Sequence, residues 1–290
     1  MNVKQFRYST DNLGYLVYGQ QLAGAIDGGA TDAMLDFIAD KGLSLRWVTN
    51  THAHADHTTG NQALLAASGA EYLAGAELCR NRIIELEDVK IDVYQTPGHT
   101  KDSVTFGLGN TLITGDTLFN GTIGNCFSGD LQGFYNSIKM FMAFPAETVI
   151  YAGHDYVRES LAFAKSLEPD NRDIDHFLKT YDPAHVRSTL QDEFKINPYL
   201  RKKNDRVCFE FDIDSEVIKA DKACEWGMQY KSVVGFGQAS FLEDSESKRR
   251  ALDIIMQQYS GESSTYPEAK LKQAVIIKVD IEHMTGKQAQ

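Results

Sequence analysis

The chain has 290 residues and a formal net charge of -11, enough length for one large domain or two with a packed core. That charge disfavours nucleic-acid partners, whose phosphates it would repel, and no apolar run reaches membrane-spanning length. Four cysteines (Cys79, Cys126, Cys208, Cys224) lack zinc-type pairing, and the polar start Met1–Arg7 does not resemble a signal peptide, so a cytoplasmic protein is expected. In chain order, Leu13–Tyr18 and Leu22–Asp27 read as strands, and Gly28-Gly29 turns into a helix over Ala30–Lys41. That helix carries Met34, Leu35 and Ile38 on one face and stops at Gly42. Leu45–Asn50 reads as a buried strand. Ser103–Leu108 and Thr111–Thr114 flank the hairpin signal Gly109-Asn110. A helix with Leu131, Phe134, Ile138, Phe141 and Met142 on one face follows, and Val149–Tyr151 is a further strand. Residues Glu168–Leu200 are helical stretches broken by prolines. Beyond Arg201 the pattern changes to strands at Arg206–Asp214, Ser232–Phe236 and Ala274–Ile281, with an amphipathic helix at Ser247–Tyr259. The expected division is 1–165, 166–203 and 204–290.

Five of the eight histidines fall in three short blocks: Thr51-His52-Ala53-His54-Ala55-Asp56-His57, Thr96-Pro97-Gly98-His99-Thr100, and Tyr151-Ala152-Gly153-His154-Asp155. Thr114-Gly115-Asp116-Thr117 adds a carboxylate able to bridge two ions. His52 and His54 are two apart, which suits an extended segment where alternate side chains share a side, rather than one helical face. The natural division puts His52, His54 and His99 on one ion and Asp56, His57 and His154 on another, joined by Asp116. Two divalent ions less two carboxylates and a bridging hydroxide leave positive charge to polarise a carbonyl, and the hydroxide is a nucleophile at neutral pH. With only nitrogen and oxygen donors, zinc, iron and manganese all fit. His176, His185 and His283 lie outside the pattern.

These blocks resemble the metallo-β-lactamase superfamily. The resemblance implies an αββα four-layer sandwich of the α/β class, with Asp27 beneath the metals as a supporting residue. Within the superfamily the chain resembles glyoxalase II, the hydroxyacylglutathione hydrolase, over roughly residues 1–201. Thr114–Phe119, Gly153–Tyr156, Ser188–Leu190 and Asn197–Arg201 carry that likeness. It implies a small-molecule thioester substrate, S-2-hydroxyacylglutathione or a relative, cleaved by metal-activated hydroxide, and Asp116 argues against a true β-lactamase. Tyr156 matches a substrate-binding tyrosine. Where relatives hold glutathione with a lysine and an aromatic residue, this chain has Asn125 and Cys126, followed by Phe127. Arg201, Lys202 and Lys203 stand in for a terminal basic helix. The alternative within the superfamily is a persulfide dioxygenase with one iron on His52, His99 and Asp116.

The last third resembles the second half of a flavin-binding split barrel related to pyridoxamine phosphate oxidase. Trp226–Val233, Lys248–Leu252 and Met284–Lys287 carry that likeness. It implies a partial β-barrel, an FMN site completed across a homodimer, and Lys231 as a phosphate contact. Because the first half of such a barrel is missing, a dimerisation or packing element is the plainer expectation.

Overall fold

The computed structural model describes residues 1–75, 78, 83–201, 206–218, 227–242, 244–261 and 265–289. Cys79, Lys202, Lys203, Cys224 and Trp226 lie outside the described residues. The chain divides into two compact units, Met1–Arg201 and Lys202–Gln290. The helical stretch after residue 166 belongs to the first unit as far as Arg201.

The first unit begins with a five-stranded sheet in simple order: β1 Asn2–Tyr8, β2 Asn12–Tyr18, β3 Leu22–Ile26, β4 Ser44–Thr49 and β5 Glu71–Tyr72. Helix α1, Thr31–Lys41, makes the crossover between the parallel strands β3 and β4, and ends at Gly42 with φ 65°, a left-handed cap that suits glycine. Helix α2 is a single turn, Ala55–Thr58, and α3 is Asn61–Ser68. Alternation along the strands sorts the side chains. Leu13, Tyr15 and Val17 of β2 enter the core between the sheets, while Leu16 faces outward against a cluster with Met34, Ile38 and Leu64.

The second sheet has six strands in the order β13-β12-β9-β8-β7-β6: β6 Ile83–Leu86, β7 Val89–Gln95, β8 Val104–Leu108, β9 Thr111–Gly115, β12 Val149–Ala152 and β13 Ser188–Thr189. Between β9 and β12 lie the small pair β10 Leu118–Phe119 and β11 Thr122–Ile123, then helix α4, Leu131–Phe141. Ile91, Val93, Val104, Phe106 and Ile113 close the central core from this side. The outer face packs Leu112 and Ile150 against Phe134, Ile138 and Phe141 of α4, so helices cover both outer faces in an αββα arrangement. Leu131 at the start of α4 is exposed, unlike the rest of its expected stripe. Helices α5 Val157–Leu167, α6 Arg172–Thr180 and α7 Leu190–Ile196 complete this unit. Each large apolar side chain buried between the sheets contributes roughly 1.5–3 kcal/mol, which keeps the strand ends rigid enough to hold a site.

The second unit is an antiparallel sheet in the order β14-β15-β16, formed by Arg206–Ile218, Gly227–Phe241 and Ile277–Ala289. Helix α8, Ser245–Ser260, is capped by the Asp244 side chain, which accepts from Ser247 N at 2.7 Å, and it ends at Gly261 with φ 72°. Lys248 Nζ donates to Leu271 O at 3.1 Å and Ala274 O at 2.8 Å, tying α8 to the end of α9, Glu268–Gln273. Among the described residues this is an open, partial structure, with β14 and β16 as edges.

Candidate metal centre

Each histidine block lies just past the end of a strand. Beyond β4 the chain reaches His54, which is extended with φ -65° and ψ 146° and is the N-cap of α2. That single turn swings Asp56 and His57 round to a second group of ligand atoms. Asn50 Nδ2 fixes the turn by donating to His57 O at 2.7 Å. His99 follows β7, Asp116 follows β9 at Gly115 with φ 53°, and His154 follows β12. Gly153 has to be glycine, because a Cβ there would stand 2.1 Å from Asp116 Oδ1 and 2.8 Å from His57 Cε1.

The structure brings all seven expected residues together. His52, His54, His99 and Asp116 form one group able to hold an ion, and Asp56, His57 and His154 form another; within each, the ligand atoms lie within 4.8 Å of one another. His54 Nδ1 is 2.9 Å from His52 Nε2 and 3.1 Å from His99 Nε2, and His57 Nε2 is 3.2 Å from His154 Nε2. Asp116 spans both groups. Its Oδ2 lies 3.5 Å from His99 Nε2 and 3.4 Å from His154 Nε2, and its Oδ1 lies 3.3 Å from His57 Nε2. Asp116 Oδ1 is buried without a hydrogen-bond partner. Facing ring nitrogens beside an unsatisfied carboxylate oxygen are an arrangement that divalent cations satisfy.

Behind the ligands, Asp27 is wholly buried with φ 54°. It accepts from Thr51 N at 2.8 Å, from Thr51 Oγ1 at 2.7 Å and from His57 Nδ1 at 3.0 Å. The Thr51 hydroxyl in turn lies 3.1 Å from His52 Nδ1, so one carboxylate orients a ligand in each group. Burial opposes charge on His57, but Asp27 and Asp116 prevail and push it up to about 11. Burial, with repulsion from His57, pushes His52 down to about 4. Asp116 is held far below the usual carboxylate range despite its burial, by His154 and His57.

The other expected residues divide. Tyr156 stacks on His154 with ring centroids 4.9 Å apart at 9°, and burial with nearby carboxylates pushes its hydroxyl up to about 12. Phe127, 68 % exposed, sets its ring 5.2 Å from that of His99 and 6.1 Å from that of His54. Asn125 acts through its backbone: its carbonyl accepts from His99 Nδ1 at 3.0 Å, while its side chain is exposed. Arg201 pairs with Glu168, a structural partner. Lys231 is exposed on β15, in the other unit.

Two residues escaped the sequence reading. Asp11 Oδ1 accepts from His154 Nδ1 at 2.8 Å, and Asn12 Nδ2 donates to Asp56 Oδ2 at 2.8 Å. Their turn is fastened to the His154 loop by Leu13 N to Gly153 O at 2.8 Å and Asp155 N to Asp11 O at 2.9 Å. A polar pair in the turn before a buried strand was the available signal.

Comparison with known proteins agrees with this geometry. The family model of the metallo-β-lactamase superfamily matches residues 26–90 and 83–154, and that of the hydroxyacylglutathione hydrolase C-terminus matches 155–227. Among solved structures, ETHE1 from Myxococcus xanthus superposes with a TM-score of 0.56 at 25 % identity, covering 70 % of this chain and 86 % of that one. The BLEG-1 B3 metallo-β-lactamase gives 0.53 at 19 % identity, covering 69 % and 100 %, and speaks to the fold alone. Fold and site thus define a metallo-β-lactamase superfamily protein. The hydroxyacylglutathione hydrolase of Anaeromyxobacter dehalogenans is 36 % identical over 216 residues, covering 67 % of this chain and 84 % of that protein. That of Maricaulis maris is 30 % identical over 240 residues, covering 74 % and 94 %. The chain belongs to the hydroxyacylglutathione hydrolase family.

Proposed function

We propose that this chain is a binuclear metal-dependent thioester hydrolase that cleaves S-2-hydroxyacylglutathione. The observation that carries the reading is the convergence of two ligand groups on Asp116, whose two oxygens reach both. His52, His54 and His99 would hold one divalent ion, Asp56, His57 and His154 the other, and Asp116 would bridge them. Zinc, iron and manganese all suit these donors. Bound there, the ions supply an activated water near neutral pH and Lewis-acid polarisation of the thioester carbonyl.

The chain's own groups position that chemistry. Asp27, Asp11 and the Asn125 carbonyl each accept from the outward ring nitrogen of a histidine, leaving the inward nitrogen free to ligate. Asn12 steadies Asp56, the most exposed of the seven ligands. Tyr156 and Phe127 flank the mouth and offer ring faces to the acyl-thiol substrate. The Tyr156 phenol stays protonated and can donate to substrate. A thiolate leaving group needs little acid assistance, so a dedicated general acid is not required. The second ligand group favours two ions over the single iron of a persulfide dioxygenase, which would leave Asp56, His57 and His154 without a task.

The test is steady-state hydrolysis of S-lactoylglutathione by metal-loaded protein, read as thiol release. Turnover supports the reading. No turnover with metals verified as bound, together with oxygen uptake on glutathione persulfide, would replace it by the dioxygenase.

A further inference from the structure

The ribbon of β10 and β11 is too small to hold itself. It pairs Leu118 with Ile123 and Phe119 with Thr122 around a turn at Asn120-Gly121. An isolated hairpin, even a longer one, is marginal in water. Its place is set from outside, at the tip. Glu193 of α7, wholly buried, accepts from Gly121 N at 3.1 Å on Oε1 and 3.0 Å on Oε2. Asn197 Nδ2 donates to the same carboxylate at 2.8 Å. Asn120, 1 % exposed, donates through Nδ2 to Ser188 Oγ at 2.6 Å and to Ile150 O at 3.3 Å, and the Ser188 hydroxyl donates in turn to Glu193. Burying a carboxylate is costly unless hydrogen bonds satisfy it, as they do here. On the other side of the tip, Gly121 has φ 92° and a Cβ there would stand 2.9 Å from Leu161 Cδ2, so α5 and α7 clamp it between them.

Both ends of the ribbon reach the metal centre. Asp116 stands just before β10, and the returning strand passes over it. At Gly124 a Cβ would stand 1.8 Å from Asp116 O and 3.3 Å from His99 Nδ1. Next comes Asn125, whose carbonyl accepts from His99 Nδ1 at 3.0 Å. On β10 itself, the Phe119 ring lies 5.1 Å from that of Tyr156 and 6.1 Å from that of His154, on which Tyr156 stacks. The segment 116–125 thus carries the candidate bridging carboxylate, the support of His99 and the wall beside Tyr156.

The geometry points to Glu193 as a positioning residue of the metal centre, anchoring the tip of this segment so that Asp116, the Asn125 carbonyl and Phe119 stand in register with the histidines. Glu193 acts through Gly121 and touches none of the candidate ligands. The inference rests on the binuclear reading and adds to it a support from helix α7.

Metal retention is the readout, measured by dialysis of the loaded full chain against a graded chelator, with no substrate needed. Glu193→Leu removes the acceptor at similar bulk and should weaken retention about tenfold, the low end of what losing a ligand's support costs. Glu193→Gln keeps an acceptor for Gly121 N–H and should hold its ions as the wild type does. Gly121→Ala drives the tip against Leu161 and should repeat the loss, which carries the test if Glu193→Leu does not fold. Ile38→Ala, in the cluster between α1 and the first sheet, should lower Tm and leave retention unchanged. Wild-type retention in folded Glu193→Leu, or in Gly121→Ala, overturns the inference. So does a loss in Glu193→Gln equal to that in Glu193→Leu, or an equal loss in Ile38→Ala, which would reduce the effect to stability. A wild-type chain that releases no thiol from S-lactoylglutathione while these differences in retention persist refutes the reaction and upholds the positioning role. A wild-type chain that retains no ion overturns both.

Discussion

Asp27→Asn probes how one buried carboxylate serves both ligand groups. The native side chain accepts three hydrogen bonds, and Oδ2 takes two of them, from Thr51 Oγ1 and His57 Nδ1. Asparagine keeps one acceptor oxygen. Its amide must therefore face either the Thr51 N–H or the Thr51 hydroxyl and His57, setting donor against donor inside the protein. A buried mismatch of this kind costs about 1–3 kcal/mol. At about 2 kcal/mol, a unit of this size loses roughly 4–8 °C in Tm. His57 also loses the acceptor that keeps its proton on Nδ1, and His52 loses its orientation through Thr51. Metal affinity should fall about 10–100-fold. Calorimetry of the metal-free chain reads the first effect, and metal content after dialysis against a graded chelator reads the second. A variant with wild-type Tm that keeps its ions at the same chelator concentration would refute the reasoning.

Gly153→Ala should abolish stable metal binding, because its methyl would overlap Asp116 and His57; full metal content in the variant would contradict the packing. Asn12→Ala frees Asp56 and should weaken one ion while the other stays, seen as metal content falling from two towards one ion per chain under mild chelation; uniform loss of both would assign Asn12 to the fold instead. Burial pushes Glu193 from 4.5 up to about 7, although Ser188, Asn197 and Gly121 N donate to it. Its folded pKa lies above the unfolded one, so this contribution is complete below pH 4.5 and is lost as pH rises to about 7, a change of roughly 3 kcal/mol. Urea unfolding of the metal-free chain at pH 5 and pH 8 should show a larger drop for wild type than for Glu193→Gln, and parallel profiles would dismiss the argument.

The candidate metal ligands could be read from the sequence because each sits in a short block whose spacing has few other chemical uses. Asp27 is expected only through the resemblance to the metallo-β-lactamase superfamily, since an aspartate before a glycine pair is also an ordinary turn residue. Asp11 and Asn12 could not be read, because their partners His154 and Asp56 lie 143 and 44 residues away and a polar pair at the entry to a strand names no partner. Asn125 stands near the site, but sequence does not tell that its carbonyl, not its amide, does the holding. The basic run at Arg201 suggested a ligand contact, whereas the pairing with Glu168 answers to a fold contact 33 residues distant. Strands β1 and β7 went unassigned because residues such as Lys4, Arg7, Lys90 and Asp92 interleave with their apolar positions. Such half-buried strands are recognised only once the sheet that pairs them exists.

The most direct test of the central claim is a metal titration of the wild-type chain and Asp116→Ala, with thiol release from S-lactoylglutathione read beside metal content. The account expects the wild-type rate to saturate at two ions per chain, and expects Asp116→Ala to bind fewer and to release almost no thiol. Full turnover at one ion per chain, or turnover retained by Asp116→Ala, would contradict it.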